Sequence, residues 1–372
     1  MKTLNNIFGV LVLVAISGCA KVELIPTAER EVSFAVGKYA TETKAASSLN
    51  GSSDAITSFK SKGFLHAVGV DETQYFFGQN GETITYNAGT NLWTPSHIYY
   101  WPKSASSYVN FVSWYDNNGT PTKVTETALE WEDRTIAATD NILFADEAWH
   151  YNNNTTNSTQ YDGDNITSGV PTLFHHALCK VQINLKSKYS VNPDNASQTY
   201  EVTLHSARID GIYLSGSMKL KNNELGAGEI GTSAWYSNGS PTYLWTSTGT
   251  ATSEGAPFRF LESNTNITTT SQAILDLRSF MPQSLTDDAK LVLVFTIATY
   301  SNGNLNSSEE EIPATISLNL IKNTSDIAIN QWLPNRVYTY NLAIDPLGQN
   351  ILLNPIVESD WGFSTDLSAT VE

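Results

Sequence analysis

Cysteine is nearly missing from this chain, which has two in 372 residues, Cys19 and Cys179. Two cysteines allow one bridge at most, so stability must come chiefly from burial. Basic charge is scarce as well: 21 Lys and Arg stand against 37 Asp and Glu, a net charge of −16. With no clustered basic surface to neutralise phosphates, the chain is not expected to bind nucleic acid. The acidic balance favours solubility. Apolar runs stop short of the ~20 residues that a spanning helix needs, and no stretch sustains helical periodicity. The Gly-Xaa-Ser-Xaa-Gly elbow, the phosphate loop and the His-Glu-Xaa-Xaa-His helix are all missing. The expectation is therefore a protein that is not an enzyme, with no cofactor and no metal site.

What the chain does have is short alternation. Charged residues are 16% of the total and aromatics 11%, and Ser, Thr and Asn abound, a composition that favours strands with polar turns. Glu31-Val32-Ser33-Phe34-Ala35-Val36 alternates cleanly, as do Phe64 to Val70 and Tyr108 to Tyr115. Gln79-Asn80-Gly81-Glu82 carries hairpin chemistry between Tyr75-Phe76-Phe77 and Thr83 to Tyr86. Phe174 to Leu185 reads as one strand, and Lys290 to Ile297, Val337 to Ile344 and Ile351 to Val357 follow. Between them, Tyr151 to Ser168 is almost wholly Asn, Thr, Ser, Asp and Gly and reads as a long exposed loop. The expected fold class is all-β, built from β-sandwiches. The length suffices for two domains with separate cores, placed at residues 45–218 and 219–372 with a boundary near Ser217 to Asn223.

The N-terminus reads as a targeting signal. Lys2 supplies a positive n-region, Ile7 to Ile16 an apolar stretch, and Ser17-Gly18 directly precedes Cys19. This is the pattern of a bacterial lipoprotein signal over residues 1–18, with Cys19 as the lipidated residue. Several acyl chains at roughly 0.8 kcal/mol per buried CH2 make a stable membrane anchor. Ala20 stands where an aspartate would favour inner-membrane retention, which points to the outer membrane.

Other residues invite chemistry and fail on geometry. His175 and His176 would point to opposite faces of a strand and so cannot share a metal without a bulge. Glu309-Glu310-Glu311 and Asp287-Asp288 lack the spacing of a calcium loop, and Asp162-Gly163-Asp164-Asn165 has no downstream bidentate glutamate. Cys179 sits in an apolar strand and reads as core filler.

Taken in order, several landmarks resemble the fimbrillin family, the lipoprotein pilus subunits of Gram-negative anaerobes, in its Mfa-like branch. They are the lipobox, Glu31-Val32-Ser33-Phe34, Thr43-Lys44-Ala45, Leu92-Trp93 and Tyr100-Trp101-Pro102. Downstream come Asn141 to Ala145, Leu173 to Val181, Met281-Pro282-Gln283, Trp332 to Tyr340 and Asp360-Trp361. The resemblance implies two transthyretin-like β-sandwich domains in tandem. It also implies assembly with other fimbrial subunits by strand exchange, after an arginine- or lysine-specific protease trims the N-terminal segment 19–44.

Candidate cleavage residues are Arg30, Lys38 and Lys44. Cleavage at Arg30 would spare the strand that follows it, whereas cleavage at Lys38 or Lys44 would remove it. After Trp361, the tail 362–372 places Phe363, Thr365, Leu367, Ala369 and Val371 on one face, a candidate donor strand that could equally pair within its own sheet. The resulting expectation is a structural or adhesive fimbrial subunit, minor or tip-like, that meets a host or bacterial surface glycan or protein receptor. The alternative is a monomeric surface lipoprotein that binds glycans through Trp93, Tyr99, Tyr100, Trp101, Trp235, Tyr236 and Trp245.

Overall fold

In a computed structural model the described residues are 31–36, 56–67, 69–90, 92–102, 106–151, 169–172, 174–221, 231–233, 244–308, 311–354 and 356–360. Within them the fold is all-β, and helix is confined to the 3-10 turn Leu318–Leu320. The alternating segments read from the sequence recur as strands at Tyr108–Asp116, Lys290–Ser301 and Arg336–Asp345.

An eleven-stranded sheet dominates the N-terminal part, its path running from Val170–Thr172 through Phe34–Val36, Leu92–Pro95, Glu82–Asn87, Ser58–His66 and Tyr108–Asp116 to Glu147–Tyr151 and Gly231–Ser233. Period 2 sends neighbouring side chains to opposite faces. In Tyr108–Asp116, Val109 and Phe111 enter one core while Val112 and Trp114 enter another. The first core also holds Phe34, Phe59, Phe77 and Trp93. The second packs Phe64 and Phe144 against a four-stranded sheet through Leu129, Trp131, Met218 and Trp245.

A third core lies between a five-stranded sheet, with Cys179–Ser187 and Arg336–Asp345 side by side, and a seven-stranded sheet centred on Asn195–Asp210 and Lys290–Ser301. Cys179–Ser187 runs parallel to Arg336–Asp345 and antiparallel to Gln272–Phe280. Residues from 179 to 356 build this core, yet Ser215–Lys221 leaves it to pair with Ala128–Thr135. The sheets thus divide the chain differently from a boundary at 218/219, which falls inside the strand Ser215–Lys221. The chain enters the second unit, returns to the first, and enters the second again.

Two local expectations are corrected. The single strand expected from Phe174 to Leu185 is broken: Phe174–His176 pairs with Ile142–Ala145, and Cys179–Ser187 belongs to the other unit. Ala177 and Leu178 make the crossing with no exposure to solvent. Their carbonyls are satisfied by the Trp245 indole N–H at 2.7 Å and the Asn335 backbone N–H at 2.9 Å, so a buried break leaves no orphaned acceptor. The hairpin expected around Gln79 to Glu82 also fails to form. Gln74–Tyr75 and Glu82–Asn87 both pair with Ser58–His66, and not with each other. The Gly81 N–H still closes a turn on the Gly78 carbonyl.

Candidate assembly groove

The described N-terminal segment, Glu31 to Val36, is threaded through the core of the large sheet. Phe34–Val36 lies parallel to Val170–Thr172 with Phe34 opposite Val170, and on its other side Phe34 pairs with Trp93. The Val32 N–H donates to the Tyr99 carbonyl at 2.8 Å, and the Val170 N–H donates to the Ser33 carbonyl at 2.7 Å. Alternation turns Val32, Phe34 and Val36 inward, where none is more than 4% exposed, while Glu31 stays in solvent. Burying such side chains stabilises by ~1.5 to 3 kcal/mol each. The Phe34 ring meets Phe111 at 5.3 Å and Phe59 at 5.7 Å edge-on, with Phe77 at 6.2 Å.

Polar contacts hold the groove wall that faces Val32. Glu82 takes hydrogen bonds from the Tyr99 hydroxyl at 2.9 Å, the Thr83 N–H at 3.0 Å and the Ser96 hydroxyl, and it meets His97 Nδ1 at 3.0 Å. Burial alone would raise the Glu82 carboxyl, but these bonds outweigh it and hold its pKa at about 2. The segment that receives the Val32 N–H is thereby tied to the strand Glu82–Asn87.

Cys19, Arg30, Lys38 and Lys44 lie outside the described residues, as do Phe363, Thr365, Leu367, Ala369 and Val371. The strand that the cleavage candidates flank is described, and it sits in the core. His175 and His176 do part to opposite sides: His175 Nε2 meets Asp146 at 3.1 Å, and buried His176 meets Asn141 at 3.1 Å. Cys179 is fully buried, and burial pushes its thiol well above the ordinary range. Two aromatics proposed for sugar stacking are corrected. Trp93 and Trp245 are core residues, 1% and 5% exposed, and cannot present a ring face to a ligand. Trp235 and Tyr236 lie outside the described residues.

Sequence reasoning missed the groove's other wall. Gly169 has φ +82°, and a Cβ there would stand 2.7 Å from the Ser33 carbonyl and the Phe34 nitrogen. A glycine immediately before a strand signals such close backbone approach. Its partner, however, lies far away in sequence, so the signal alone does not name it.

With this geometry in place, the chain matches the fimbrillin-like family over residues 43–361, and it belongs to that family. No curated protein matches. Among solved structures it is similar to a fimbrial protein from Bacteroides vulgatus, at 14% identity and TM-score 0.49, covering 89% of this chain and 99% of that one. A cell adhesion protein from Bacteroides uniformis follows at 13% identity and TM-score 0.46, over 90% and 99% of the two chains. A fimbrilin from Porphyromonas gingivalis aligns at 12% identity and TM-score 0.35, over 90% and 98%.

Proposed function

We propose that this protein is a structural or adhesive subunit of a cell-surface fimbria, made as an outer-membrane lipoprotein acylated at Cys19 and assembled by strand exchange. The observation that carries the reading is the seating of Glu31 to Val36. A strand bounded in sequence by Arg30 on one side and Lys38 and Lys44 on the other fills the aromatic core. Cleavage after Lys38 or Lys44 by an arginine- or lysine-specific protease detaches that strand from the chain and frees it to leave. The emptied groove has unpaired backbone groups and an apolar trough, which a neighbouring subunit's strand satisfies. The same cut severs the lipid anchor, releasing the subunit into the growing fimbria. In turn, the tail 362–372 offers its row of Phe363, Thr365, Leu367, Ala369 and Val371 to a neighbour. A minor or tip-like place in the fimbria fits this chain best, and no catalytic role is assigned.

The test replaces Lys38 and Lys44 with alanine in the producing bacterium and follows heat-labile, detergent-resistant oligomers. The double variant is expected to stay monomeric and membrane-bound, whereas Arg30→Ala assembles normally. Normal assembly of the double variant would refute trimming at these sites. Cys19→Ala is expected to lose palmitate labelling, and retained label would refute the anchor.

A further inference from the structure

The groove is more selective than an apolar trough need be. Its central subsite holds the Phe34 ring among Phe59, Phe77 and Phe111, two of them edge-on. Aromatic contacts of this kind contribute about 0.5 to 1.5 kcal/mol beyond area alone. The flanking subsites hold two valines, Val32 and Val36, both buried. Gly169, lacking a side chain, leaves room for the occupant's backbone at Ser33 and Phe34, and the register is set by the side chains that fill the subsites. An occupant shifted by two residues therefore puts the wrong side chain into the three-phenylalanine subsite.

The chain's own C-terminal row does not meet these requirements. It has one aromatic, Phe363, at its start. Centring Phe363 sends Trp361 into the space of Val32, and forcing a larger side chain into a packed site typically costs about 1 to 3 kcal/mol. Centring Leu367 instead leaves Thr365 and Ala369 in the valine subsites and no ring in the middle.

We infer that the groove selects a strand with an aromatic residue between two inward-facing aliphatic ones, and that its donor is a different kind of subunit and not a second copy of this chain. This rests on the strand-exchange reading and names the partner of the same site. Heterotypic pairing also gives such a chain a fixed place in a fibre, since its groove and its tail then address different neighbours.

The experiment trims the mature chain after Lys44, removes the released segment in denaturant, and refolds the remainder with synthetic peptides. Recovery of native tryptophan fluorescence reports binding, so a groove that collapses when empty is still measured. The peptides are residues 30–38, the same with Phe34→Leu or Phe34→Ala, a version with Val32 and Phe34 exchanged, and residues 361–372. Relative to residues 30–38, about tenfold weaker binding is expected for leucine and about a hundredfold or more for alanine. The exchanged peptide and residues 361–372 are also expected to bind about ten- to a hundredfold more weakly. If residues 361–372 rescue as well as 30–38, selectivity for a different subunit is overturned while strand exchange stands. If no peptide rescues folding, including 30–38, the strand-exchange reading fails with it. Gly169→Ala is expected to weaken uptake of residues 30–38, and undiminished affinity would overturn the close backbone approach at Gly169.

Discussion

Phe34 has no exposed surface and touches three other phenylalanine rings. Its replacement by alanine is expected to cost about 3 to 5 kcal/mol, read as a lowered urea midpoint of the untrimmed chain. Ser33→Ala, on the outward face, should change the midpoint little. Two carboxyls set opposite pH responses. Glu82, held at about 2 by its hydrogen bonds against the opposing effect of burial, contributes stability above the unfolded value near 4.5 and loses it as pH falls towards 2. Glu82→Gln should flatten that acid limb of a stability profile. Glu147 behaves in the reverse sense. It is fully buried, and neither carboxyl oxygen has a hydrogen-bond partner. Burial, reinforced by the nearby charge of Glu126, raises its pKa to about 10. The folded state thus keeps a proton that the unfolded chain releases above about pH 4.5. Stability from this group falls as pH rises from there towards 10, by at most about 1.4 kcal/mol per pH unit. Glu147→Gln is expected to remove this slope and to raise the melting temperature at pH 8, measured by calorimetry.

At the scale of elements, strands whose apolar faces alternate without interruption were legible from the sequence. Tyr108–Asp116 emerges from pattern alone because each pleat side meets a core, and Lys290–Ser301 because Leu291, Leu293, Phe295 and Ile297 line one side and enter a single core. The inward set Val32, Phe34 and Val36 was legible in the same way. What it pairs with was not. The parallel partner Val170–Thr172 is remote in the chain, and pairing across such distances leaves no local trace. The break at Ala177–Leu178 was hidden for a different reason. Both residues are apolar and buried, so the run contains no turn residue, and the interruption is visible only through the Trp245 and Asn335 hydrogen bonds that accommodate it. Trp245→Phe deletes the donor to the Ala177 carbonyl and is expected to destabilise the fold by about 1 to 3 kcal/mol, checked by chemical denaturation.

Across the whole molecule, the two units are joined by more than chain crossings. The Ser279 N–H donates to the Ala138 carbonyl at 2.9 Å and its hydroxyl to the Asp140 carbonyl at 2.6 Å, while the Gln283 side chain accepts from the Tyr213 N–H at 2.7 Å. Met281 buries its side chain in the core of the first unit. Arg134 lies 3.2 Å from both Asp116 and Asp140 on the same side of the junction. A boundary near Ser217 to Asn223 falls at the strand Ser215–Lys221, which pairs with Ala128–Thr135, and such long-range pairing leaves no local trace in the sequence. Whether the strand Glu31 to Val36 leaves on assembly is read directly from the first residue of the assembled chain. N-terminal sequencing of the chain recovered from heat-labile oligomers should give a start after Lys38 or Lys44, with Glu31 to Val36 gone; a start at Cys19 or Glu31 would mean that the strand stays in place and that the groove never opens.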